Sequence, residues 1–287
     1  MKKLIYRNSL GAEFEFTNTA PFLLNKIDTS NDVNVYSIKG MAQDGESYLG
    51  NTLDARDISL EVTVIANNKE ELINYKDKIN KVFNPRNGEG YLIYKDDIKE
   101  RKIKCIVNKL PYFTVVNGRV NKCLVSLIAN NPFWIDISES KEEIALWKGD
   151  FSFELEIPFD GIEMGHREPS LIVNVNNTGD VESGMRIEFK ALATLTNPSL
   201  LNVNTQEFIK INKTMSAGEI ISISTYFGNK NVISTLNGFT INAFNYIDFT
   251  STFLQLHTGD NLFRYNADTG LDNLEVSLYH ENQYLGV

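Results

Sequence analysis

The side chains best equipped for chemistry in this sequence are three histidines, two cysteines and several paired carboxylates. His166, His257 and His280 are widely separated, with no HExxH or HxH pair to grip a metal and no neighbouring cysteine. Carboxylate pairs at Asp96/Asp97, Glu142/Glu143 and Asp268/Asp272 are the residue types that cut glycosidic bonds, but without converging aromatic rings they read as solvated surface. Asp268, Gly270 and Asp272 have oxygen ligands for calcium, yet the glutamate that closes an EF-hand loop is absent. Cys105 and Cys123 each lie in an apolar-alternating run, where thiols are inert core residues. A bridge between them would need one particular register, and two reduced thiols are expected. There is no GxSxG, P-loop or dinucleotide fingerprint; Gly88 and Gly90 follow a helix and precede a strand, the reverse of the order that cradles phosphate. The expectation is no catalytic residue, no metal site and no cofactor.

Sugar recognition is the alternative function, because sandwiches often hold sugars against exposed rings. Tyr226 and Tyr265 are the candidate glycan contacts of such an adhesion module. Its main marker is missing, since the two tryptophans, Trp134 and Trp147, flank the expected linker. A third reading, a glycan-cleaving enzyme, rests on the carboxylates alone.

The elements that would position any site are strands. With 287 residues, 42% of them hydrophobic and 11% aromatic, the chain has material for two packed domains. Ile58, Leu60, Val62 and Val64 alternate along one strand. Asn68 then stands three residues before Glu71, and Leu72, Tyr75, Ile79, Val82 and Phe83 recur at helical spacing, so one amphipathic helix is expected over about 68–83, ending before Asn84–Pro85. Strands follow at Tyr91–Tyr94, Lys102–Val107 and Phe113–Val116, the last joined through a two-residue Asn117–Gly118 turn to Val120–Ile128. The charged run 139–143 is the expected linker. Beyond it come only short strands, among them Phe151–Ile157, Leu171–Val175, Met185–Phe189, Phe208–Ile211 and Leu274–Leu278, separated by turns such as Asn237–Gly238. The fold class is therefore mainly β: a β-rich domain with one helix over residues 1–138, and an antiparallel β-sandwich of the jelly-roll kind over 139–287.

Charge narrows the partners. With 28 basic against 37 acidic residues, a formal net charge of −9, the chain lacks the cation clusters of stable nucleic-acid binding or docking on anionic membrane. The start, Met1–Arg7, has no apolar stretch behind it, so no signal peptide is expected.

The order of these features resembles the distal tail proteins of long-tailed bacteriophages, within the phage tail protein family. Gly40–Gly45, then Arg56-Asp57-Ile58-Ser59-Leu60, the helix and its Asn84–Pro85 exit look like the family's first domain, and Asn130-Asn131-Pro132-Phe133-Trp134 is similar to the signature that ends it. Asn177–Gly184, Asn197–Pro198 and Tyr284–Val287 are similar to members with a galectin-like C-terminal sandwich. The resemblance implies a non-enzymatic virion component at the distal tip of the tail, made and assembled in the bacterial host cytoplasm. It would form a cyclic, six-membered homo-oligomer through its first domain, joining the tail tube protein to tail-tip, baseplate or receptor-binding proteins. Arg56, Asn131, Pro132, Phe133 and Trp134 are the candidate interface residues, with a structural role for them expected first: Arg56 pairing with an acid, Asn131–Pro132 making a turn, Phe133 and Trp134 capping the core. The family's sugar-binding residues are not recognisable, and an acidic wall is expected where DNA passes.

Overall fold

The computed structural model describes residues 3–144, 147–149, 165–167 and 172–287. They divide into two compact units, Met1–Ile137 with Tyr284–Val287, and Ser138–Gln283. The first contains β1 (Lys3–Arg7), β2 (Glu13–Phe16), β3 (Phe22–Asp28), β4 (Val33–Ile38), β5 (Ser47–Leu53), β6 (Arg56–Ile65), α1 (Lys69–Val82), β7 (Gly90–Lys95), β8 (Glu100–Val115), β9 (Val120–Ala129) and β10 (Trp134–Asp136).

Strict alternation builds the sheet. β6 turns Ile58, Leu60, Val62 and Val64 inward, and β9 does the same with Cys123, Val125 and Leu127. The strands run in the order β2-β1-β7-β8-β9-β6-β3, and the two ends meet at a bridge between Thr17 and Leu23. The sheet thus curls nearly shut around one core. β8 makes the turn, pairing with β7 up to Cys105 and with β9 from Ile106 onward. The sequence suggested two strands here, but one 16-residue strand runs through, because irregularities in register between Val107 and Tyr112 admit Pro111.

Helix α1 covers the core with Leu72, Ile79 and Val82. The Asn68 side chain accepts from the Glu71 N–H at 2.8 Å, while Glu71 accepts from Asn67 instead of the cap residue. Just past the helix Phe83 stacks on Tyr6, 4.5 Å between ring centroids. The β8–β9 connection is not the two-residue turn expected. Residues 116–119 form a longer loop in which the Asn117 side chain accepts from the Arg119 and Val120 N–H groups, both at 2.8 Å.

The second unit contains β11 (Ser140–Ile144), β12 (Trp147–Gly149), β13 (Gly165–Arg167), β14 (Ile172–Asn177), β15 (Met185–Ala191), β16 (Leu195–Thr196), β17 (Ser199–Asn202), β18 (Phe208–Lys210), β19 (Thr214–Met215), β20 (Ile220–Ser224), β21 (Asn231–Leu236), β22 (Phe239–Asn242), β23 (Gly259–Asn266) and β24 (Leu274–His280). A six-stranded sheet, β11-β24-β15-β20-β21-β22, and a four-stranded one, β14-β23-β17-β18, are antiparallel and share one core that includes Ile187, Phe189, Ile223, Phe263 and Val276. This is a sandwich. The expected linker is instead β11, an edge strand: its charged residues face water on one side while Ile144 enters the core. The expected strand Phe151–Ile157 lies outside the described residues. Asn237 and Gly238, with φ of 50° and 80°, make the two-residue hairpin between β21 and β22.

One buried charge pair stands out in this unit. Glu219 is almost wholly buried and accepts from Lys213 Nζ, from Ser234 Oγ at 2.5 Å and from the Ser216 N–H at 3.1 Å. Burial alone would raise its pKa, but Lys213, Ser234 and Ser216 together hold it below the ordinary 4.5. A carboxylate with a depressed folded-state pKa contributes stability that is full above its unfolded value and is lost as pH falls through the folded one. Calorimetry should therefore show Glu219→Gln less stable than the native chain at neutral pH, with the gap closing below pH 4.5.

Candidate assembly surfaces

Arg56 opens β6 and is only 4% exposed. Among the described residues no acid pairs with it: the guanidinium donates to three backbone carbonyls, Thr29 O at 2.6 Å, Pro132 O at 2.7 Å and Leu285 O at 2.8 Å. The expected ion pair is thus replaced by a carbonyl cage, and burial pulls the arginine pKa downward. Asn131 accepts from the Phe133 N–H at 3.2 Å, which makes the turn at Pro132. Phe133 is half-buried, whereas Trp134 is fully buried in the core of the first unit. These residues join three distant stretches of chain.

The third stretch, residues 284–287, is expected from sequence in the second domain, but Tyr284, in β25 (Gln283–Tyr284), is part of the first unit's core. The Arg101 guanidinium lies 3.5 Å from the centroid of its ring and donates to Gly286 O. The end of this sequence is therefore a strap held by two arginines. The motif residues Arg56, Pro132 and Leu285 are tied into one structural knot through their backbone carbonyls and the guanidinium, while the side chains of Asn131 and Leu285 remain exposed.

The exposed chemistry of the first unit lies elsewhere. β4 and β5 pair only with each other, and Val33, Val35, Tyr36, Ile38, Tyr48 and Leu49 on them are 50% to 66% exposed. Sequence reasoning noted only the Gly40–Gly45 loop at its tip. A second apolar surface sits where β8 and β9 run to their connecting loop, with Leu110, Tyr112, Val115 and Val116 exposed. Cys105 and Cys123 are buried behind this sheet, and burial pushes both thiols up to about 12.

In the second unit the two candidate glycan contacts are covered to different degrees. Tyr265 is 1% exposed and belongs to the core; Tyr226 is half-buried, and burial raises its pKa. The Tyr265 ring is closed to a sugar, and the Tyr226 ring is partly covered. Among the described residues the exposed rings are Phe227, Phe239, Phe244 and Phe249, which carry no polar group for orienting a sugar. His257 lies 3.5 Å from Glu182, His280 is buried, and Asp268 is engaged by Lys210 and Asn197. Among the described residues no cluster of three metal-ligating side chains occurs, and no helix is long and apolar enough to cross a membrane. The Asn177–Gly184 motif is structural: the Asn177 amide donates to Val181 O and Leu256 O, both at 3.0 Å, and a Cβ on Gly184 would lie 2.6 Å from Tyr226 Cα.

Residues 9–129 match the phage tail protein RIFT-related domain, and residues 178–284 match the siphovirus-type tail component, C-terminal domain. No curated protein matches the chain. Among solved structures it is similar to the Dit protein of phage SPP1, described as a paradigm of the hub adsorption apparatus in phages that infect Gram-positive bacteria, with TM-score 0.71 and 12% identity over 99% of this chain and 100% of that one. It is also similar to a chain of the phage p2 baseplate in its activated conformation with calcium, with TM-score 0.53 and 10% identity over 100% of both chains.

Proposed function

We propose, from the premise that the chain belongs to the siphovirus-type distal tail proteins, that it is a hub which closes six copies of itself into a ring at the end of the tail tube. Its role in the tail and baseplate is structural; the ring, its number and its neighbours are what the proposal adds. The observation that carries it is the β4–β5 hairpin. An isolated two-stranded hairpin is marginal in water, and six large apolar side chains held open to solvent on one mark a surface meant to be covered. A cyclic assembly covers such a surface on every copy with no open end. In this reading the first unit forms the ring, one face meets the tail tube protein and the other the tail-tip proteins, and the second unit holds receptor-binding components. Like-charged lumen walls then let DNA pass without sticking, in keeping with the net charge of −9.

Mass photometry of the purified chain, alone and with tail tube protein, tests this. The expected result is a discrete species at six times the subunit mass, joined by the tube protein when that is added. A monomer that persists at high concentration in both samples would contradict it.

A further inference from the structure

The two exposed apolar surfaces of the first unit differ in charge. From Asp32 to Asp54 the hairpin segment carries Asp32, Asp44, Glu46 and Asp54 against the single cation Lys39. From Ile106 to Ile135, which spans the far half of β8, the loop and β9, there are three cations, Lys109, Arg119 and Lys122, and no acid at all. Elsewhere in this unit charges find local partners, as in Lys3–Glu15, Arg7–Glu13, Lys95–Glu100 and Lys104–Glu89. Among the described residues none of the four hairpin acids and none of these three cations forms an ion pair within the subunit.

The basic surface also has a shape to receive something. On the outer face of the sheet Tyr112, Leu124 and Glu61 stand side by side across β8, β9 and β6, and Thr114, Lys122 and Thr63 form the next row. Of these, Tyr112, Leu124, Glu61, Thr114 and Lys122, together with Asn25, line a groove of about 230 Å³. Glu61 is the one acid on its wall. Each hairpin strand, at about 3.3 Å per residue, is roughly 20 Å long, enough to lie across several strands of a neighbouring sheet.

We infer that the acidic, apolar β4–β5 hairpin of one copy seats on the basic, apolar outer face of β8 and β9 of the next copy. The inference rests on the ring reading above and names the surface that receives the hairpin. A symmetric pairing, hairpin on hairpin, would set acids against acids and is disfavoured. A head-to-tail pairing matches opposite charges and leaves each copy with one hairpin to give and one face to receive, which is the arrangement that closes rings. Apolar side chains such as Tyr36, Tyr48 and Leu49 against Tyr112 and Leu124 supply the affinity, while the charges set partner and register.

Charge reversal separates this inference from the ring reading. One variant carries Asp44→Lys and Glu46→Lys on the hairpin; the other carries Lys109→Glu and Lys122→Glu on the face. All four positions are exposed, and thermal unfolding is followed to confirm that both variants fold. Each variant alone should assemble at least tenfold more weakly than the native chain by mass photometry. An equimolar mixture should recover rings, because every hairpin then meets a face of opposite sign if the two variants alternate. The chain carrying all four substitutions should recover them too. If the native chain forms rings and the variants do so equally well alone, or if neither the mixture nor the four-fold variant recovers them, the inference is overturned while the ring reading stands. If the native chain itself forms no ring, both fall.

Discussion

Replacing Arg56 with alanine is expected to lower the unfolding temperature of the first unit by about 10 °C, with little change in the second. The reason is the number of acceptors that depend on one side chain. Thr29, Pro132 and Leu285 each present a carbonyl to the guanidinium, and a buried acceptor left without a donor costs about 1–3 kcal/mol. Water entering the vacated space offsets part of that, leaving a loss of about 3–5 kcal/mol. Arg56→Lys should keep about half of the stability, since a single ammonium cannot reach three carbonyls with the geometry of a fork. Removing residues 285–287 should cost less in the Arg56→Ala background than in the native chain, because the two changes break the same contact. Differential scanning calorimetry reads all three, and additive losses would show that the strap and the arginine act independently.

The second large effect has the opposite signature. Replacing residues 33–53 with a short Gly-Ser turn should leave the unfolding temperature of the first unit nearly unchanged, within about 1 kcal/mol of stability. The hairpin contributes no side chain to the core cluster. Self-association, by contrast, should weaken by at least about 100-fold, because several apolar anchors are lost together. Mass photometry and thermal unfolding of the same sample distinguish the outcomes. A shortened chain that unfolds early would make the hairpin a structural part of the subunit, and one that still assembles would remove it from the interface.

The contrast between these two regions explains what the sequence could reveal. β6 and α1 were legible because each has one buried face, so Ile58, Leu60, Val62 and Val64, or Leu72, Ile79 and Val82, betray a period. The β4–β5 hairpin has no buried face within its subunit, and apolar residues on both sides of it erase the alternation that marks a strand. β11 was mistaken for a linker for a related reason: an edge strand can carry Lys141 and Glu143 toward water and still pair along its whole length. Pro111 suggested a break where irregular pairing instead lets β8 continue. For Arg56, an arginine in sequence says only that it needs acceptors. That these are carbonyls from three separate segments, one of them more than two hundred residues away, is decided by tertiary structure. The strap from Tyr284 is hidden on the same ground: only Tyr284 enters a core, and Leu285 beside it stays exposed, so no apolar period marks the segment.

Negative-stain electron microscopy of the purified chain is the most direct measurement. If self-complementary surfaces on the first unit are what the molecule contributes, averaged end-on views will show a hollow particle with six-fold symmetry. Fields of single particles of one subunit's size at a concentration where tail proteins assemble would contradict that account.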